Sequence, residues 1–399
     1  MNADIQLDPG RLIAEARRET GLHDFDAPPI DEALERLTRA LRTEARLNAA
    51  GVYLWHARLL NTLVTRLRAN AWFHRHPEIL DEQLPPPVVI LGLARTGTTL
   101  LHRLLASDPR IYSAAWWECR FPVPADDDVS GEQRRAAAIA EVAAILEAQP
   151  ELAAIHPWDA LGADEDIMLM DQTLLSTTAE SLACIPSYRA WIHQQDLRPS
   201  YRYLLKLMRF LQWQKTQRGE QRAERWVLKT PMHLGYVDVI TELMPDAMFV
   251  QTHRDPIMTI PSFSSMVHGL WAGGSDHSDP HEAGHQWSST LEEHLNKCLV
   301  DRRSLSKERF IDVDFRDTVS RPIEVVERIY RRIGLPMTDA ARRAIEDYMQ
   351  SHPREARPKH QYTLEQFGFT QAELEQRFKA YRERHILPFT APAQVKGTN

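Results

Sequence analysis

Between residues 9 and 82 apolar side chains recur every three or four positions, the period of an amphipathic helix. DPGRLIAEARRE opens with an Asp-Pro start signal, and DEALERLTRALRTEARL and VYLWHARLLNTLVTRLRANAWF continue the spacing. The last of these, rich in Leu, Trp and Tyr, is expected to pack on the rest of the protein. Pro85, Pro86 and Pro87 end the helical region. The pattern then changes to VVILGLA, a short β-branched run of the kind found in a buried parallel strand. It leads through RTGTT into LLHRLLAS, where the helical period returns, so the unit is strand–loop–helix. DPRIYSAAWWE reads as a second strand and its exit loop.

From 130 to 220 the pattern is again mostly helical, in EQRRAAAIAEVAAILEAQ, DEDIMLMDQTLLSTTAESL and YRYLLKLMRFLQWQKTQ. An insertion of this size over an α/β core is expected to cover the site or form an acceptor pocket. ERWVLKTP reads as a strand, GYVDVITELMP as a helix, AMFVQTHRDP as a strand and IMTIPSFSSMV as a helix start. RFIDVDFRD is the expected final strand, before the helix PIEVVERIYRRIG. HPREARPKHQYTLEQFGF reads as a polar loop before a last helix. Strands alternating with helices predict an α/β fold, a P-loop-like parallel sheet of about five strands flanked by helices. The expected division is a helical N-terminal extension over 1–84 and an α/β domain over 85–399.

Composition adds exclusions. With 43% hydrophobic and 26% charged residues the chain is ordinary globular material. A net charge of −7 and no basic run argue against nucleic acid as a partner, so an anionic ligand needs a local constellation. Cys119, Cys184 and Cys298 are scattered singly, which fits neither a disulfide framework nor a zinc ribbon. The charged N-terminus and the lack of any run of about 18 apolar residues predict a soluble cytoplasmic protein without an integral membrane segment.

The sharpest chemical signal is Gly92-Leu93-Ala94-Arg95-Thr96-Gly97-Thr98-Thr99, between the first strand and its helix. A glycine-containing turn lets backbone N–H groups face an anion, and the helix start adds the positive end of the helix dipole. The spacing is that of a nucleotide P-loop, but Thr98 stands where the lysine would be. Arg95 supplies the cation from within the loop, with Thr96, Gly97, Thr98 and Thr99 around it. Such a loop suits a phosphate–sulfate group and requires no metal.

LGLARTGTTLLHRLL resembles the 5′-phosphosulfate loop of the sulfotransferase superfamily, in the Arg-containing form of the tyrosylprotein and many bacterial enzymes. The cytosolic aryl and steroid enzymes usually carry Lys there. AMFVQTHRDPIMTIPSFSSMV resembles the family's 3′-phosphate segment, with Arg254 at a strand end and Ser262 eight residues later. An arginine there offers bidentate donors to a phosphate, and the serine adds a hydroxyl. VLKTPMHL resembles the strand end that carries a catalytic lysine, here Lys229, placed to stabilise charge on the leaving oxygen. REARPKHQYTLEQFG resembles the late basic loop that closes over the 3′-phosphate, through Arg357 and Lys359. The resemblance covers about residues 85–370 and implies a 3′-phosphoadenosine-5′-phosphosulfate (PAPS)-dependent sulfotransferase. The acceptor is then a hydroxyl on a small molecule, lipid or glycan, with adenosine 3′,5′-bisphosphate as second product and no metal.

Sulfuryl transfer places acceptor and leaving oxygens in line on sulfur and uses a base for the acceptor proton. Two residues compete for that role. Glu118, in AAWWECR, stands near the position of the glutamate base of the tyrosylprotein type, off by a couple of positions. His233, in KTPMHL, titrates near neutral pH without help, but the family's histidine aligns better with Pro231.

Other features have plainer readings. His277, His281 and His285 are spaced by four, yet Pro280 is expected to interrupt a helix there, so they read as a loop bordering the acceptor site rather than a metal set. Asp164-Glu165-Asp166 reads as dipole complementarity before an apolar helix, with substrate contact the minor reading. Trp116 and Trp117 read as core or pocket wall. Two rivals remain: a P-loop kinase or nucleotide hydrolase, which Thr98 and the lack of an obvious magnesium-binding aspartate after a strand oppose, and a non-catalytic nucleotide-binding protein. The aromatic and leucine-rich helices favour an apolar acceptor.

Overall fold

The computed structural model describes residues 6–148, 150, 158–352 and 362–390. At its centre is a parallel sheet of five strands: β1 (Pro87–Leu91), β2 (Ile111–Tyr112), β3 (Arg225–Lys229), β4 (Met248–His253) and β5 (Phe310–Asp314), ordered β2-β3-β1-β4-β5. Val89 of β1 lies between Leu228 of β3 and Phe249 of β4. Every residue of β1 is buried, as a strand with both faces covered must be.

The strand period of two divides the core. Val89, Leu91, Trp226, Leu228 and Phe249 join a large cluster that also contains Leu12, Leu34 and Leu63 of the N-terminal helices. Val88, Ile90, Val227 and Val250 face the other way, onto Leu101, Leu104, Val326 and Ile329. The N-terminal helices α1 (Pro9–Thr20), α2 (Asp31–Thr43) and α3 (Ala49–Arg75) therefore share one core with a sheet face. Arg66 of α3, fully buried, is paired with carbonyls instead of a carboxylate. Its guanidinium donates to Phe25, Asp26 and Pro28 in the α1–α2 connection and to Gln172 in the insertion.

After β1 come α4 (Thr98–Ala106), the short α5 (Trp116–Arg120) and α6 (Glu132–Ala148). The chain leaves β1 towards β2 and β3 on one side of the sheet and later adds β4 and β5 on the other. The carboxyl end of β1 is thus a topological switch point, where open α/β sheets bind ligands.

Two expected elements differ. The run 164–182 is divided into Ile167–Met170, a 3₁₀ turn Asp171–Thr173 and Thr178–Leu182, with Leu174 at a φ of 56°. Side-chain hydrogen bonds compete with the helix there: the Thr173 hydroxyl donates to the Met170 carbonyl, and Asp171 is held by Arg58 and Ser176. Pro280 begins a helix, Pro280–Ser304, instead of interrupting one. It occupies the first turn, where its missing N–H costs nothing, and the Asp279 carboxylate caps the His281 N–H. Among the described residues no helix is long and apolar enough to cross a membrane, and all three cysteines are free.

Candidate active site

The turn between β1 and α4 is built around two unusual backbone positions. Gly92 has a φ of 147°, and a Cβ there would lie 2.4 Å from the Thr252 hydroxyl oxygen. Arg95 adopts a φ of 70°, a strained conformation for a side-chain-bearing residue and one that recurs at functional sites. The Thr96 side chain is fully buried, its hydroxyl donating to the Leu93 carbonyl at 2.7 Å and meeting the Thr252 hydroxyl at 2.6 Å. It holds the turn closed, and what it can offer a ligand is its backbone N–H. The first N–H groups of a helix have no intrahelical acceptor. Here the helix start at Thr98 and Thr99 forms part of a cavity wall, together with Ala94 and Arg95.

Arg254 and Ser262, predicted from a distant segment, arrive beside this loop. Arg254 follows β4, and its guanidinium donates to the Arg95 carbonyl at 2.9 Å and lies 4.2 Å from the Phe315 ring centroid. Arg95 Nε in turn donates to the Ser262 hydroxyl at 3.2 Å. The end of β4 is tied down on its other side. His253 hydrogen-bonds Tyr381 and Asp312, and Asp255 pairs with Arg382 of the C-terminal helices. Arg357 and Lys359 lie outside the described residues.

Lys229 ends β3 with 1% of its surface exposed. Its ammonium donates to Glu165 Oε1 at 2.7 Å and to the Thr99 hydroxyl at 3.3 Å. Glu165 reaches it because its segment is pinned at three points. The Asp164 N–H donates to the Ala114 carbonyl at 3.1 Å, Arg103 Nε donates to the Ala163 carbonyl at 3.2 Å, and the Asp166 carboxylate accepts the Lys229 backbone N–H at 2.7 Å.

Neither base candidate belongs to the cavity wall. Glu118 is third in α5 and folds back onto the helix start, accepting from the Ala115 N–H at 3.0 Å and from the Tyr112 hydroxyl at 2.7 Å. Burial and this carboxylate push the Tyr112 hydroxyl well above its ordinary value. His233 is fully buried with both ring nitrogens engaged, one by Asp166 at 2.7 Å and one by Tyr201 at 2.9 Å. Burial raises the Asp166 carboxyl, but the adjacent His233 and the Lys229 N–H outweigh it, and the net shift is downward. His233 and Asp166 therefore brace the segment that carries Glu165.

The cavity holds about 320 Å³. Its polar lining includes Arg95, Thr98, Thr99, Glu165 and Thr230, and its apolar lining includes Met168, Met232, Phe263, Met266, Trp287 and Leu291. Phe263, Met266 and Leu270 share one face of the helix Pro256–Ala272, and Trp287, Leu291 and His294 one face of Pro280–Ser304. Trp116 forms part of the wall. Trp117 packs instead under the guanidinium groups of Arg134 and Arg135. His277, His281 and His285 are not among the wall residues; His281 and His285 meet the backbone at Gly368.

Sequence reasoning passed over Glu165. Its one signal was a carboxylate flanked by two more, and the helix-dipole reading absorbed it. Arg58, Arg120 and His294 of the wall carried no signal at all.

Residues 86–339 match the model of the sulfotransferase family. Over 300 residues the chain is 26% identical to the ω-hydroxy-β-dihydromenaquinone-9 sulfotransferase Stf3 of Mycobacterium bovis, a match spanning 70% of this chain and 71% of that one. The crystal structure of sulfotransferase STF1 from Mycobacterium tuberculosis H37Rv aligns with a TM-score of 0.81 at 29% identity, over 95% of this chain and all (100%) of that one. Sulfotransferase STF9 from Mycobacterium avium aligns with a TM-score of 0.85 at 25% identity, over 96% and 98% of the two chains.

Proposed function

Because the chain belongs to the sulfotransferase family and is a sulfuryl-transferring enzyme, we propose that its donor is PAPS and its acceptor a hydroxyl on a largely apolar molecule. The observation that carries the donor reading is the contact chain Arg254–Arg95–Ser262, which joins the two anion-binding segments into one surface. A donor with a 5′-phosphosulfate and a separate 3′-phosphate needs two such groups at once. The tight loop fits the first of these: Gly92 packs so closely on Thr252 and Thr96 that no Cβ fits, which keeps the turn tight enough for its N–H groups and the helix start to converge on an anion. Arg95, Thr98, Thr99 and the loop N–H groups would hold the 5′ side, and Arg254 with Ser262 the 3′ side. The bound donor supplies the activated sulfuryl group.

We assign the acceptor proton to Glu165, ahead of Glu118 and His233. Glu165 accepts from Lys229 and Thr230, but it borders the cavity, where a hydroxyl can reach it, while the other two are enclosed by the fold away from the cavity wall. Lys229, between Glu165 and Thr99, supplies positive charge on the leaving-oxygen side. With one apolar side and a few convergent polar groups, the cavity suits an apolar alcohol. Stf3, whose acceptor is an ω-hydroxylated menaquinone, supports a lipid-like acceptor here.

The donor reading is tested by thermal stabilisation with adenosine 3′,5′-bisphosphate, AMP, and ADP with magnesium. The bisphosphate is expected to raise the melting temperature most, by mass action on the folded state. Stabilisation by ADP with magnesium and none by the bisphosphate would overturn it.

A further inference from the structure

The cavity wall contains one imidazole that the donor and proton-transfer readings leave unused. His294 is only 6% exposed, lines the cavity, and has no hydrogen-bond partner on either ring nitrogen among the described residues. Ring contacts hold it instead. It stacks on His193 with centroids 6.2 Å apart and planes 17° apart, and it meets Tyr236 edge-on at 5.7 Å. On a third side lies Gly235, where any Cβ would come within 2.5 Å of the His294 ring. A glycine at that point admits the ring. The neighbouring groups are themselves occupied: His193 hydrogen-bonds the buried Glu180 at 2.8 Å, and Arg189 pairs with Glu180 and donates to Thr290 on the helix of His294. The ring is thus fixed in orientation while its nitrogens are not consumed.

Two more wall groups lack partners among the described residues, the Trp287 indole N–H and the Thr178 hydroxyl. Trp287 shares a helix face with His294, and Thr178 stands two residues before Glu180. Buried polar groups without partners are costly and uncommon in folded proteins. Those two atoms are closed off from the cavity, whereas the His294 ring lines it, so the imidazole is the group of the three placed to meet a ligand. Burial, reinforced by His193, Lys297 and Arg189, pushes the His294 imidazole down to about 3. It is therefore neutral at physiological pH, able to donate and to accept, and unsuited to attracting an anion.

We propose that His294 determines acceptor specificity by hydrogen-bonding a second, uncharged polar group, a carbonyl or hydroxyl, on an apolar acceptor whose other hydroxyl is sulfated. This rests on the reading of the cavity as the acceptor site. The acceptor class is then a bifunctional apolar molecule, not a simple alkanol.

The test compares matched alcohols of equal chain length, with and without a ketone or second hydroxyl. Turnover of each is measured with wild type, His294→Phe and His294→Gln, after thermal melts confirm folding. Wild type is expected to favour the bifunctional member in kcat/KM by about tenfold, the worth of one good hydrogen bond. His294→Phe is expected to reduce that ratio to about one, and His294→Gln to retain part of it. An unchanged ratio in His294→Phe overturns the proposal, as does a wild type without preference. A Leu291→Trp variant separates the underlying reading. If it fills the cavity yet leaves turnover of every alcohol as before, the cavity is not the acceptor site and both readings fall. If it abolishes turnover while the His294 ratio stays unchanged, only the specificity proposal falls.

Discussion

The Lys229 ammonium lies 2.7 Å from Glu165 Oε1, although 64 residues separate the two in the chain. The same ammonium reaches the Thr99 hydroxyl on the first turn of α4. The pair thus joins the β1–α4 loop to the Glu165 segment along one side of the cavity. Glu165→Gln keeps the shape and a hydrogen-bonding side chain but cannot take a proton. We expect kcat to fall about 10²- to 10⁴-fold, with binding of adenosine 3′,5′-bisphosphate largely retained. Single-turnover sulfation and a binding titration check both halves. Glu118→Gln, which disturbs a helix cap and the Tyr112 contact, is expected to lower the melting temperature more than Glu165→Gln does and to lose less turnover.

Arg254 donates to the carbonyl of Arg95, so it shapes the loop in addition to the 3′-phosphate role proposed for it. A ratio of affinities is therefore the informative quantity. In Arg254→Ala the preference for adenosine 3′,5′-bisphosphate over AMP should fall by about 10- to 100-fold, the worth of a charge-assisted hydrogen bond of 1.5–3 kcal/mol. Ser262→Ala should reduce it by only about threefold to tenfold. Calorimetric titration of both nucleotides measures each ratio. An unaltered ratio in Arg254→Ala would remove the 3′ site.

Gly92→Ala meets two obstacles, a φ of 147° and the Thr252 hydroxyl oxygen 2.4 Å from the new Cβ. The expected cost is about 1–3 kcal/mol, read as a lower denaturation midpoint. Thr252→Ala in the same chain removes the hydroxyl but leaves the dihedral and the Thr252 carbonyl, 2.9 Å away. Rescue should therefore be partial, and full rescue would show that the dihedral is unstrained.

Acid should unfold the protein before its carboxylates are fully protonated. His102 and His294 are buried and pushed down to about 3 by that burial; nearby groups deepen the shift, chiefly Lys229 at His102 and His193 at His294. Both are neutral in the folded state, while in the unfolded chain they bind protons below about pH 6.5. The unfolded state then holds more protons between about pH 6.5 and 3, so stability falls as pH falls through that window. Each histidine contributes up to about 1.4 kcal/mol per pH unit. Urea midpoints measured from pH 7.5 to 4 should decline, and His102→Gln should flatten the slope. A midpoint independent of pH over that range would contradict the assignment.

The β1–α4 loop, the strand that feeds it and the Arg254–Ser262 segment were legible in the chain because each is a run of neighbouring residues whose backbone geometry follows from local chemistry. Two glycines, a β-branched run and a helix start place N–H groups together whatever surrounds them. Lys229 was readable for the same reason, as a strand end. The roles of Glu118, Glu165 and His233 were not local properties. Glu118 is claimed by the Ala115 N–H and the Tyr112 hydroxyl, His233 by Asp166 and Tyr201, and only Glu165 is left facing the cavity. The apolar cavity wall likewise depends on two helices presenting chosen faces to one space, and His294 on a glycine that lets its ring in. Sequence determined the family's loop and the strands and helices around it, because the geometry of a turn between a strand and a helix is short-range. Tertiary structure decided which carboxylate and which imidazole stand on the cavity wall, because buried polar groups find their partners through space and only those at the cavity can also meet a ligand.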